Sequence, residues 1–276
     1  MKQRWASRER LERARSHYRG CELCEHRCAA DRLAGQRGPC SAGVATRVFR
    51  HRVEYGEEVE LVPSHLFYLS GCDLRCVFCI AGLNAFDPSR GRELTSDFFN
   101  AAVEWGKEQG ARNIQWVGGE PTIHLPAILE VMSQCPSLPP VVWKSDFHFT
   151  PEALELLDGA VDVYVADFKF GNDQCARKLA GIDNYTRIIQ RNLIAAANQS
   201  RLIVRHLLLP RHMDCCYRPI VNWMRDNLPQ TPFSLREGYL PSWRAKHFGD
   251  LAKPLEPGAA RQAMDIARDS RLAVIQ

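Results

Sequence analysis

From residue 65 onward, short apolar runs alternate with amphipathic stretches about six times, and this limits the fold more than any other feature of the chain. His65–Ser70 reads as a strand, 95–109 as a helix capped by Ser96 and stopped by Gly110, and Asn113–Val117 as a buried strand. A helix near 125–134 precedes the strand Pro140–Trp143, and Thr150 caps a helix that opens with Pro151. Strands at Val161–Ala166, Leu202–Leu209 and 233–237 follow, separated by helices near 184–197 and 215–227. A helix near 258–268 and an apolar run at Leu272–Ile275 end the chain. Such alternation predicts parallel βα units joined by right-handed crossovers. Periodicity alone leaves an open doubly wound sheet and a curved partial barrel equally available.

The first 64 residues read differently. Residues 1–20 have the spacing of a solvated surface helix, and 21–64 are weakly periodic and rich in Cys and Gly. So short a segment has little core of its own and needs a metal or a neighbour to order it. A boundary near Pro63 therefore divides the chain into 1–64 and 65–276.

The 276 residues, 45% hydrophobic, suffice for one large core with a small appendage. A formal net charge of +4 gives no argument for nucleic acid or membrane as partner. No apolar run nears the ~20 residues of a membrane span. The charged N-terminus has no secretory h-region, so a cytoplasmic protein is expected. Eleven cysteines are present, four between Cys21 and Cys40 and three between Cys72 and Cys79. In a long cytoplasmic chain, clustered thiols more often bind metal or do chemistry than form disulfides.

Gly71-Cys72-Asp73-Leu74-Arg75-Cys76-Val77-Phe78-Cys79 is a C-x3-C-x2-C loop directly after a strand. Three thiolates can hold three irons of a cubane and leave the fourth iron open to a ligand. Gly118-Gly119-Glu120-Pro121 closes another strand. Together they resemble the signature of the radical S-adenosylmethionine superfamily. The resemblance implies a partial (βα)6 barrel, a [4Fe-4S] cluster on Cys72, Cys76 and Cys79, and S-adenosylmethionine bound near Phe78, Gly118, Gly119 and Glu120.

VDVYVADFKF (161–170) and LIVRHLLLP (202–210) narrow the likeness to the pyruvate formate-lyase activating-enzyme branch, activators of glycyl-radical proteins. This implies that Asp167, Lys169, Arg205 and neighbouring His206 contact the cofactor, Arg205 through its carboxylate. Cys21, Cys24, Cys28, Gly35, Gly38 and Cys40 follow the branch's N-terminal pattern. These four thiols are expected to hold a second metal, zinc or another [4Fe-4S] cluster, with His26 as a substitute ligand. The chain departs from the branch at Glu25-His26, Ile80-Ala81 and Trp143-Lys144-Ser145-Asp146.

The expected activity is reductive cleavage of S-adenosylmethionine and hydrogen abstraction from a substrate, with a glycine of a glycyl-radical protein foremost. Radical modification of a peptide or small molecule is the second reading, and a non-catalytic iron–sulfur or zinc protein the third. A flavodoxin- or ferredoxin-type donor would supply electrons. His124 reads as a structural histidine or a residue facing the site, and Cys135, Cys175, Cys215 and Cys216 read as packing.

Overall fold

The chain's most apolar runs form the middle of one sheet. Strands β4 (Asn113–Gly118), β5 (Val141–Ser145), β6 (Val163–Asp167) and β7 (Arg201–Leu207) are largely buried on both faces. They therefore read as near-continuous hydrophobic runs, as strands covered on both sides do. The structure, a computed structural model, describes residues 5–56 and 58–275. The first four positions of the N-terminal helical stretch lie outside the described residues.

With β1 (Arg47–Glu54), β2 (Ser64–Leu69), β3 (Arg92–Glu93), β8 (Phe233–Arg236) and β9 (Val274–Ile275), these strands make a nine-stranded sheet ordered β3-β1-β2-β4-β5-β6-β7-β8-β9. From β2 to β9 every pairing is parallel, while β1 pairs antiparallel with both β2 and β3. The fold is α/β with a mostly parallel, unclosed sheet, in keeping with the partial barrel. Register brings functional residues together, since Asp167 on β6 lies directly opposite Arg205 on β7.

The intervening helices are α3 (Ser96–Glu108), α4 (Leu125–Ser133), α5 (Pro151–Leu157), α6 (Asp173–Ala180), α7 (Tyr185–Gln199), α8 (Arg218–Asn227) and α9 (Ala259–Asp269), after α1 (Arg8–Ser16) and the short α2 (Leu83–Phe86). Thr150 caps α5 as expected, accepting from Ala153 N. The cap of α3 is Thr95, one residue before the expected Ser96, and Ser96 Oγ donates instead to Gln134. The run read as a helix from 215 opens as a π-type turn, Met213–Tyr217, before α8 begins.

Among the elements not anticipated, β1 and α6 are the longest. β1 carries Arg47, Arg50 and Arg52 among few buried positions, because it shields the sheet edge. Arg50 covers the Tyr68 ring at 5.4 Å. Helix α6 is short and mixed in character, and it forms because Asn172 caps it and left-handed Gly181 (φ 73°) ends it. The N-terminal segment does not stand apart. Trp5, Ala14, Cys21 and Leu23 belong to the same hydrophobic core as Phe67, Trp116 and Trp143. The boundary near Pro63 thus falls between two strands of one sheet.

Candidate functional site

The carboxyl ends of β2, β4, β5, β6, β7 and β8 lead to a cavity of about 590 Å³. This is where parallel sheets present ligands, because loops diverge there. Cys72, Cys76, Cys79 and Phe78 line it, with Gly118, Gly119 and Glu120 from the end of β4. Asp167, Lys169 and Arg205 complete the wall. Residues predicted from four separate stretches of sequence therefore share one space.

The cluster loop leaves β2 through Gly71, whose φ of 97° suits glycine. Val77 N donates to Leu179 O (2.9 Å) and Arg75 N to Ala180 O (3.0 Å), so the last carbonyls of α6 hold the loop's backbone. Cys72 and Cys76 are buried and Cys79 is half-buried. Burial pushes the Cys72 and Cys76 thiols upward, and the charges of Asp146 and Asp73 push Cys72 further. Lys169 pulls the Cys76 thiol the other way. Thiols so placed ionise only against added positive charge, which bound iron supplies. Cys72 and Cys76 fit a cluster on that ground, and all three cysteines line one cavity.

The two glycines have a steric reason. A Cβ on Gly119 would lie 1.6 Å from the Gly71 carbonyl oxygen, and one on Gly118 2.1 Å from Leu69 N. The close approach is thus to the cluster loop's own backbone, which Glu120 N meets at Gly71 O (2.9 Å). The Glu120 carboxylate accepts from Thr122 N, Ser145 Oγ and Asp146 N at 2.8–2.9 Å, tying the ends of β4 and β5 together.

Lys169 Nζ donates to Asp167 Oδ2 at 2.5 Å, and Arg205 Nε lies 3.7 Å from Asp167 Oδ1. Burial works to raise the Asp167 carboxyl, but Lys169 and Arg205 outweigh it and hold the carboxyl below its ordinary value. Arg205 also reaches buried Glu58 at 3.4 Å, and Ser234 Oγ donates to that carboxylate at 3.1 Å. The sequence reading missed Glu58 and Asp73, and it gave Lys144 and Asp146 no role beyond a departure from the branch. Lys144 and Asp146 line the cavity at the end of β5, where the sequence departs from the branch. Asp73, within the loop, forms a buried acidic group with the cavity residues Glu120 and Asp146. Burial and the Asp73 charge raise the Glu120 carboxyl to about 7, and burial with the same charge raises Asp146 well above its ordinary value. Asp73 is itself paired with His148 at 2.8 Å.

His206 corrects an expectation. Strand alternation turns it away from Arg205, so it does not line the cavity. It is buried, with Nδ1 2.7 Å from Phe168 O and its ring against Tyr217. His124 is likewise internal, between Ser70 O (2.7 Å) and Thr46 Oγ1 (3.1 Å).

At the N-terminus, Cys21, Cys24 and Cys40 are buried and Cys28 is half-buried. Cys21 Sγ accepts from buried Arg32 at 3.0 Å. The His26 ring lies against Asp73 O (3.0 Å) and the His148 ring, while its backbone N–H faces the Cys24 sulfur. Cys175 and Cys215, expected as packing, are half-buried and exposed, and their donor atoms converge with that of His212 to within 4.8 Å. No described helix is long and apolar enough to cross a membrane.

A family model described as the Radical SAM superfamily matches residues 66–224. An uncharacterized protein of Methanocaldococcus jannaschii, MJ0674, is 34% identical over 279 residues, covering 96% of this chain and 79% of the relative. Among solved structures, Streptococcus suis SuiB bound to precursor peptide SuiA aligns with a TM-score of 0.52 and 13% identity, over 74% of this chain and 46% of that one. A fainter likeness is to the radical S-adenosylmethionine methyltransferase TsrM of Kitasatospora setae (TM-score 0.43, 16% identity, 62% of this chain and 36% of that one). The chain spans less than half the length of either solved chain, and the SuiB likeness is one of fold alone. With the family model covering more than half of its residues, this chain belongs to the radical S-adenosylmethionine superfamily.

Proposed function

We propose that this enzyme holds a [4Fe-4S] cluster on Cys72, Cys76 and Cys79, binds S-adenosylmethionine beside it, and abstracts hydrogen from a polypeptide, foremost a glycine of a glycyl-radical protein. The observation that carries this reading is one cavity lined by the three thiols and by the Asp167–Lys169–Arg205 group. When bound, the cluster and S-adenosylmethionine supply reductive cleavage to methionine and a 5′-deoxyadenosyl radical.

The chain's own residues position and exclude. Arg205 offers a guanidinium to a cofactor carboxylate, and its packing against Glu58 and Asp167 fixes the direction of that fork. Asp167, kept ionised by Lys169, is an acceptor for the cofactor's ammonium or ribose hydroxyls. Leu74 and Phe78 line the cavity near the thiols and keep water from them. Phe78 in turn rests edge-on against Phe170. Ile80 and Leu240 line the cavity yet are 82% and 66% exposed, an apolar rim that suits a polypeptide better than a small polar substrate. A flavodoxin- or ferredoxin-type protein would deliver the electron. The test is anaerobic reconstitution and chemical reduction, followed by assay of 5′-deoxyadenosine. Release supports the reading, and its absence from a protein with a full cluster overturns it. A glycyl-radical signal in a co-purified partner selects the glycyl-radical reading over modification of a free peptide.

The four N-terminal thiols support a second metal centre. Arg32 is buried, donates to Ile123 O (2.7 Å) and Cys21 Sγ (3.0 Å), and has no carboxylate paired to it among the described residues. A buried guanidinium needs a counter-charge, and an anionic thiolate cluster provides one. Iron and sulfide retained without Cys72, Cys76 and Cys79, then lost on adding Cys24→Ala, is the expected result. No change on adding Cys24→Ala removes the proposal.

A further inference from the structure

Cys175, Cys215 and Cys216 have no metal-like spacing in the sequence, yet the fold gathers them. The Cys175 and Cys215 sulfurs are 3.8 Å apart, and Cys216 Sγ is 4.0 Å from Cys215 Sγ. The donor atoms of Cys175, Cys215 and His212 all lie within 4.8 Å of one another. None of the four residues lines the cluster cavity.

We propose that Cys175, His212 and Cys215 bind one soft divalent metal ion of the zinc class. Geometry is the first argument. Two thiolates on a tetrahedral zinc, each at ~2.3 Å, are about 3.8 Å apart, which is the Cys175–Cys215 separation. The second argument is the histidine. His212 Nδ1 lies 2.7 Å from Pro210 O, so that nitrogen carries the proton and Nε2 keeps its lone pair. Ligating histidines are oriented in this way by a carbonyl or carboxylate on the other nitrogen.

The third argument is the surrounding shell. Asn172 Nδ2 donates to Cys175 Sγ (3.3 Å), lies 3.9 Å from Cys216 Sγ and donates to Cys215 O, while Asn172 Oδ1 accepts from Cys175 N (2.8 Å). One amide thus fixes all three cysteines. The π-type turn, in which Cys216 N and Tyr217 N both reach His212 O, folds His212 back over the cysteine pair. Gly171 presses against that turn, since a Cβ there would lie 2.2 Å from Cys216 O.

Packing does not account for the arrangement. A cysteine serving as a small hydrophobe is buried, and Cys215 is exposed with Cys175 only half-buried. A metal here clips the first turn of α6 to the turn that follows β7. The far end of α6 carries the carbonyls that hold the cluster loop. The site is therefore a structural clip behind the cavity, and it stands or falls independently of the reading given above.

Zinc measured by mass spectrometry in protein purified without chelator should show about one equivalent that is lost in the Cys175→Ser/Cys215→Ser variant, with iron unchanged. Asn172→Ala should weaken zinc binding about ten- to a hundredfold. The wild-type chain gives a readout that needs no folded variant. Zinc should protect Cys175 and Cys215 from alkylation, and a chelator should expose them. Equal alkylation of both thiols with and without zinc, or a Cys175–Cys215 disulfide in anaerobically isolated protein, overturns the proposal.

Discussion

Cys72, Cys76 and Cys79 come from a single loop, whereas Cys175 comes from the start of α6, and His212 and Cys215 from the turn after β7, segments that β6 and β7 bring side by side. The first set lines a cavity whose wall also carries the carboxylates of Glu120, Asp146 and Asp167 and the ammonium of Lys169. The second is drawn together to the spacing of one ion and partly open to solvent. The contrast separates a centre designed to admit a ligand from one designed to close on an ion. It also explains their unequal visibility, because loop spacing is written in sequence and register between strands is not.

Removing a ligand from one site should leave the other intact, and the largest effect belongs to the cavity. Cys76→Ala should abolish cluster absorbance and 5′-deoxyadenosine release together while zinc content stays constant. Undiminished cleavage in that variant would remove Cys76 from the ligand set. Gly119→Ala should come next. Its Cβ would meet the Gly71 carbonyl oxygen at 1.6 Å, a backbone atom with nowhere to go. Urea unfolding should show a loss on the order of 3 kcal/mol, together with reduced iron content. A curve superimposable on the wild type would show that the cluster loop does not rest on this turn.

A smaller change is expected at the cofactor wall. Arg205→Lys keeps a charge near buried Glu58 but gives up the two-pronged fork. Calorimetry with the cluster intact should show S-adenosylmethionine binding weakened by about one decade, or ~1.4 kcal/mol. Unchanged affinity would place Arg205 in the wall without a cofactor contact.

The last effect is a change in slope. Burial lowers the His206 pKa from 6.5 to about 4. The unfolded chain therefore takes up this proton near 6.5, and the folded chain only near 4. The stability this provides is complete above 6.5 and is lost as pH falls through that window. His206→Gln keeps a donor for Phe168 O and should flatten the dependence of stability on pH by about one proton between those values. Unfolding titrations with parallel slopes would show that the imidazole titrates normally in the folded protein.

The parallel strands were legible because β4 to β7 are short apolar runs buried on both faces. β1 was not, since its arginines lie on an edge and carry no core pattern. In the site, Asp167, Lys169 and Arg205 could be named because each ends or follows a recognisable strand. Glu58 could not, because it comes from a loop before β2 and meets Arg205 only through tertiary packing. His206 was misplaced because resemblance carries neighbours along, whereas a strand turns alternate side chains to opposite faces. Asn172, which caps α6 and touches three cysteines at once, had no sequence signal beyond a polar residue before a short helix.

The two carbonyls of α6 that hold the cluster loop have a consequence for the order of assembly. Leu179 and Ala180 follow Cys79 by roughly a hundred residues. At ~5–20 residues per second, a growing chain exposes the three thiols for about 5–20 s before their support is made. Until then the loop lacks the two backbone hydrogen bonds that hold it in the folded protein. It takes its final shape only after the sheet has grown past β6, so iron delivered earlier would meet an unsupported loop.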